Sequence, residues 1–164
     1  MIPHLLPVLL VLQPAPLPGA VEIQPGLFIV KGAPGPETFA ALKAAGITHV
    51  LSLRNPSEGD FTADAAATRA AGADYGTCPV DREPTDAALE AFRTRLKALP
   101  KGARVLVHCA SGNRAAGALF THWVLDLGMD EAQALALAHR AGLHSPVTES
   151  AVKAHVAKAR PLLP

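Results

Sequence analysis

A cysteine and an arginine with four small or polar residues between them, Cys109-Ala110-Ser111-Gly112-Asn113-Arg114, follow directly on the apolar run Val105-Leu106-Val107 and His108. A thiol and a guanidinium held this close can attack and grip an anion. An alanine-rich amphipathic run comes next, Ala115 to Leu127, so the segment reads as strand, loop and helix. Unpaired N–H groups and the helix dipole make a helix N-terminus positive, which favours a thiolate beside it. Gly112 permits a backbone turn in which the N–H groups of Ala110, Ser111, Gly112 and Asn113 converge on an anion. Arg114 supplies two parallel donors for a tetrahedral anion. Taken alone, Cys109 reads as a packed core cysteine sooner than as a catalyst, since free cysteine is among the most buried residue types. The whole string argues for chemistry, because packing requires neither the Ser-Gly-Asn-Arg nor a helix starting there.

The elements that must position this loop alternate along the chain. Leu27 to Lys31 reads as a strand, and Pro34-Gly35-Pro36 opens a helix carrying Phe39, Leu42 and Ala45 that Gly46 ends. Ile47 to Leu53 is the next strand, closed by the turn Arg54-Asn55-Pro56-Ser57. Thr62 is placed to cap a helix through Ala71, and Asp74 to Val80 is a further strand. Thr85 caps a helix carrying Leu89, Phe92, Leu96 and Leu99, Asp130 caps one ending at Ala141, and Ser145-Pro146 starts a last helix that stops before Pro161. This alternation predicts an α/β domain with a mostly parallel central sheet flanked by helices. Ligands of such sheets gather beyond the carboxyl ends of the strands. Arg54 is therefore a candidate for the mouth shared with Cys109, the alternative being a surface arginine. The acidic loop Asp81-Arg82-Glu83-Pro84-Thr85-Asp86 can hold a carboxylic acid over the thiolate to protonate a leaving oxygen. Asp81 is the first candidate, with Glu83 and Asp86 behind it; an ordinary solvated turn fits the same residues.

The signature segment resembles that of cysteine-dependent protein phosphatases, and more closely that of the bacterial tyrosine-phosphatase-like proteins called beta-lactamase hydrolase-like. The resemblance extends over Gly26-Leu27-Phe28, Ala45 to Arg54, Tyr75 to Val80 and Gly128-Met129 to Leu143, in all about residues 22 to 145. It implies a phosphatase fold of the dual-specificity type, with Cys109 as nucleophile and Arg114 as phosphate ligand. The substrate would be a phosphorylated protein or a small phosphate ester, cleaved without metal or organic cofactor. The chain departs from the usual phosphatase loop, which has five residues between cysteine and arginine and a serine or threonine next; here there are four, then Ala115. A loop one residue tighter is similar to the rhodanese cradle. Sulfur transfer from a sulfane-sulfur donor through a Cys109 persulfide is thus a second reading, and an oxyanion-binding module without turnover a third.

At 164 residues and 49% hydrophobic content, the chain suits one domain with a core of its own. A net charge of +1 with mixed signs leaves no broad basic face for nucleic acid or anionic lipid. Residues 1–20 stand apart as an apolar leader, Leu5 to Leu12 followed by a proline-rich stretch, and the domain is expected over 21–164. A secretory signal fits this leader and implies a periplasmic or secreted protein, whereas a leader that is not a signal implies a cytoplasmic one. A membrane span is not expected, since spanning takes about 20 apolar residues and prolines break this run. Only Cys78 accompanies Cys109, as a core residue or a resolving partner. His122, His139, His144 and His155 have no recognised metal spacing.

Overall fold

The computed structural model describes residues 14–160. The sheet has five strands, Ala20–Gln24 (β1), Leu27–Val30 (β2), His49–Ser52 (β3), Asp74–Thr77 (β4) and Val105–His108 (β5), in the spatial order β1-β2-β5-β3-β4. From β2 to β4 every pairing is parallel, and β1 alone runs antiparallel, at the edge. The strand that carries the signature loop is therefore central. Its residues Val105 to His108 are all buried, as expected where helices cover both faces of a parallel sheet. The expected α/β class is what the structure has.

Side chains alternate across the strands and define two cores. Leu27, Ile29, Leu51, Val105 and Val107 face one side, where they pack with Leu89 and Phe92 of Asp86–Lys97 (α3), Leu119 and Trp123 of Asn113–Leu125 (α4), Ala138 of Glu131–Ala141 (α5), and Val152 and Val156 of Pro146–Ala159 (α6). Phe28, Val30, Val50 and Leu106 face the other side, packing on Phe39 and Leu42 with Pro36–Ala41 (α1) and on Thr62–Ala70 (α2) through Ala67. Thr85 and Asp130 cap α3 and α5 as read, accepting from the N–H groups of Ala88 and Gln133. Thr62 does not cap α2: it is the first helical residue, and Asp60 Oδ1 accepts its N–H at 2.9 Å.

Two features differ from the expected boundaries. The first strand begins at Ala20, because Pro25-Gly26 turns β1 back onto β2, with Gly26 at φ +78 and its N–H donated to Glu22 Oε1. The folded unit also takes in residues read as leader: Leu17 is buried beside Phe39 and Leu42, Ala15 N–H donates to the Ala44 carbonyl, and Thr38 Oγ1 to that of Pro18. The apolar run Leu5 to Leu12 lies outside the described residues. Among the described residues no helix is long and apolar enough to cross a membrane.

The helix layer is tightest where α4 crosses α6. A Cβ on Gly117 would lie 2.9 Å from Thr148 Cγ2. Thr148 cannot swing aside easily, since its hydroxyl accepts from Asn113 Nδ2 at 2.7 Å and donates to the Arg82 carbonyl at 2.5 Å. Gly117→Ala would gain about 1 kcal/mol in an open helix. Here overpacking of about 1–3 kcal/mol outweighs that gain, so thermal unfolding should show a lowered Tm. A raised Tm would mean that α6 moves away at little cost.

Candidate active site

The site is built by the turn from β5 into α4. Gly112 sits at φ +83 and ψ −21 as the residue before the first helical turn. A Cβ there would lie 2.9 Å from the Lys31 Cα and 3.3 Å from the Val30 carbonyl oxygen. Both the backbone angle and the contact with the end of β2 therefore require glycine. In this geometry the Gly112 N–H donates to Cys109 Sγ at 3.2 Å. Cys109 is fully buried and belongs to the larger core, with Leu53, Val107 and Ala115, while Ala110 and Ser111 are exposed above it. Cys109 thus packs in the core and accepts a loop N–H at its sulfur.

Asn113 borders the cleft with its side chain already engaged. It is buried, donates to Thr148 Oγ1, and accepts the N–H groups of His144 and Ser145 at 3.0 and 2.9 Å. Its side chain ties the signature loop to the turn between α5 and α6, leaving only its backbone for an anion.

Arg114 reaches back across the loop to Glu58. Its Nη1 and Nη2 donate to Oε1 and Oε2 of Glu58 at 2.6 and 2.7 Å, and Nη1 also donates to the Val80 carbonyl at 3.1 Å. A guanidinium has five N–H donors in a rigid plane. The end-on pair and the outer Nη1 hydrogen are committed, which leaves the Nε–Nη2 edge with no protein oxygen as acceptor among the described residues, and the Cys109 sulfur close to the guanidinium. Hydrogen bonding to Arg114, with help from the Asn55 N–H and the Arg54 charge, holds the Glu58 carboxyl down to about 2 against the opposing effect of burial. Glu58 in turn, and behind it the nearby Cys109 sulfur, raises the Arg114 guanidinium above its usual range.

Loops at the carboxyl ends of β3, β4 and β5 line an open cleft of about 700 Å³, with Asn55, Glu58, Asp81, Arg82, Arg114 and His144 on its walls. Asp81 stands in it, one carboxylate oxygen accepting from Asn55 Nδ2 at 2.7 Å. Asp86 is engaged elsewhere, pairing with His155 and Lys158 of α6, and Glu83 borders a separate hollow beside Pro146 and Val147. Arg54 does not line the cleft. It follows Ser52 on the sheet face covered by α2, stacks 3.9 Å from the centre of the Phe61 ring, and lies 3.7 Å from Asp64.

Cys78 and Cys109 are both free. The backbone ladders continue past the strand ends, Cys78 N–H to the Ser52 carbonyl and Leu53 N–H to that of His108. The two cysteines thus flank β3 at two strand spacings, roughly 10 Å, beyond the ~7 Å that a disulfide spans. Three of the four histidines pair with carboxylates: His122 with Asp126, His139 with Glu149, His155 with Asp86. His144 borders the cleft.

Glu58 is the site residue that sequence reading missed. Its signal is local: Asn55-Pro56-Ser57-Glu58 forms a single 3-10 turn with a capping box, the Glu58 carboxylate accepting the Asn55 N–H at 2.7 Å. An acid fixed to its own turn is preset for a cation arriving from another loop.

Sheet order, helix layers and the loop at the end of the central strand together define the fold of cysteine-dependent phosphatases of the dual-specificity type. The chain is similar to the Beta-lactamase hydrolase-like protein of Xylella fastidiosa (strain Temecula1), 35% identical over 126 residues that make up 73% of this chain and 29% of that protein. It thus spans under a third of the length of the curated relatives it matches. Among solved structures, a DUF442 protein of Shewanella putrefaciens CN-32 named for a phosphatase superposes with TM-score 0.69 at 28% identity, covering 85% of this chain and 92% of that one. TpbA of P. aeruginosa, solved in complex with pTyr, shares the fold at TM-score 0.67 and 20% identity, over 87% of this chain and 85% of its own. No family model matches the chain.

His108, fully buried on the strand before Cys109, gives the site a pH signature. Burial lowers its value from 6.5 to about 4; the Cys109 backbone opposes this and the Arg54 charge adds to it. The folded state therefore carries the ring neutral at pH 6, whereas the unfolded chain takes up a proton. This contribution is complete above 6.5 and lost as pH falls towards 4. Its full size is about 3 kcal/mol. Urea unfolding across that range should show stability rising more steeply with pH in the native chain than in His108→Gln; equal slopes would show that His108 does not titrate this way.

Proposed function

We propose that this chain is a cysteine-dependent hydrolase of phosphate monoesters. The observation that carries the reading is the donor pattern of Arg114: Glu58 and Val80 hold the guanidinium while its Nε–Nη2 edge stays available beside the loop that bears Cys109. That edge matches two oxygens of a phosphoryl group. In the first step the Cys109 thiolate forms a bond to phosphorus, the bond to the leaving oxygen breaks, and Asp81 gives that oxygen its proton. The Asp81 carboxylate then takes a proton from water, whose oxygen displaces the sulfur and releases phosphate. Loop N–H groups and Arg114 stabilise the charge on the equatorial oxygens. The likeness to proteins with phosphatase names supports the same reading, and the apolar leader supports a periplasmic or secreted setting.

The full burial of Cys109 favours a second reading, an oxyanion-binding module. Hydrolysis requires the exposed Ala110-Ser111 segment to admit the phosphoryl group to the sulfur, whereas binding on the Arg114 edge does not. Turnover of an aryl phosphate by the full chain under reducing conditions separates the two. Phosphate release should be lost in Cys109→Ser and should fall about a hundredfold in Asp81→Asn. Thiocyanate formation from thiosulfate and cyanide without phosphate release would replace hydrolysis by sulfur transfer. Silence on both, with phosphate binding that Arg114→Gln removes, would leave the binding module.

A further inference from the structure

The cleft is far larger than one phosphoryl group needs, and its second cation is not part of the mechanism above. Arg82 lines it together with Glu58 and Arg114. Its Nε donates to Ser145 Oγ at 3.2 Å, and no carboxylate among the described residues pairs with it. The main chain at Arg82 is fixed to the signature loop, because its carbonyl accepts from Thr148 Oγ1, which accepts in turn from Asn113 Nδ2. It is also close to the anion site. Val80, whose carbonyl is 3.1 Å from Arg114 Nη1, lies two residues away, at most about 7 Å of chain. The other charges on the cleft walls are already engaged: Glu58 by Arg114, and Asp81 by the Asn55 amide. Arg82 therefore lines the same cleft as Arg114, with its Nε held by Ser145 and both Nη groups without a protein acceptor among the described residues. His144 borders the same cleft.

We infer that Arg82 is the specificity-determining residue for a second anionic group, so that the preferred substrates are small phosphate esters carrying another phosphate or carboxylate on the same skeleton. This rests on the phosphate-site reading above and names its substrate class. Arg82 takes no part in bond making: its Nη groups hold the distal anion while Arg114 holds the reacting one. An arginine suits this because its planar fork is held at Nε and still offers parallel donors.

The test compares phenyl phosphate with 1,3-phenylene bisphosphate, binding measured by calorimetry on the full chain carrying Cys109→Ser so that neither is consumed. The bisphosphate should bind about tenfold tighter or better. In the Arg82→Gln background the ratio of the two dissociation constants should fall to about two, the statistical factor for two equivalent phosphates. Arg82→Lys, which keeps the charge but loses the Nε bond to Ser145, should retain an intermediate ratio, showing that the loop has not simply collapsed. A ratio that Arg82→Gln leaves unchanged, or no preference in the starting chain, overturns the assignment. Phosphate release by the Cys109 form is scored separately: its absence removes hydrolysis, while the binding ratio still decides on Arg82.

Discussion

Everything at the site depends on one close approach, that of the Gly112 backbone to the end of β2. With a hypothetical Cβ only 2.9 Å from the Lys31 Cα, the loop is pressed against the neighbouring strand as it leaves the sheet. That contact and the positive φ together turn the Gly112 N–H onto the Cys109 sulfur. They also start α4 one residue later, so that Arg114 falls in its first turn. A side chain at Gly112 would push the loop off β2, and the thiol, the N–H and the guanidinium would separate together. Loop geometry and sheet order are thus one constraint, because β5 meets β2 only by inserting between β2 and β3.

The second determinant is the way Arg114 is divided between partners. An arginine beside a buried sulfur with no acceptor of its own would wander or face solvent. Glu58 and the Val80 carbonyl prevent this by fixing the guanidinium plane from two other loops. The carboxylate is bound end-on and is itself pinned to its own turn by the Asn55 N–H. What remains is a pair of N–H groups in a fixed direction. Orientation set before an anion arrives lowers the cost of binding it.

How much of this was legible follows from the range of each signal. The strand, loop and helix around Cys109, the strands of the sheet and the caps Thr85 and Asp130 depend on local pattern, and they were readable. β1 was overlooked although Val21 to Gln24 alternates before the Pro25-Gly26 turn. Arg54 was drawn to the mouth by its place at a strand end, but parity decides otherwise: it shares a face with Val50 and Ser52, so it turns under α2 to Phe61 and Asp64. The role of Asn113 was not legible, since its partners Thr148, His144 and Ser145 are more than 30 residues away and met only on folding. Glu58 was half legible: its turn could be read, but not that Arg114 would reach it.

The short loop bears on chemistry through what it can and cannot supply. With four residues between Cys109 and Arg114, and Ala115 next, the sulfur receives one N–H bond, from Gly112, and no hydroxyl. The same tightness seats the sulfur in the core beside Leu53 and Val107, beneath Ala110 and Ser111. Oxyanion binding needs only the Arg114 edge and the cleft, while transfer to sulfur also needs those two residues to yield. Ala110 and Ser111 are the exposed part of the loop, and the side-chain tie of Asn113 acts beyond them. On the proposed reading binding and chemistry would be separable: Glu58, Asn113 and β2 hold the loop and Arg114, while the way to Cys109 passes Ala110 and Ser111.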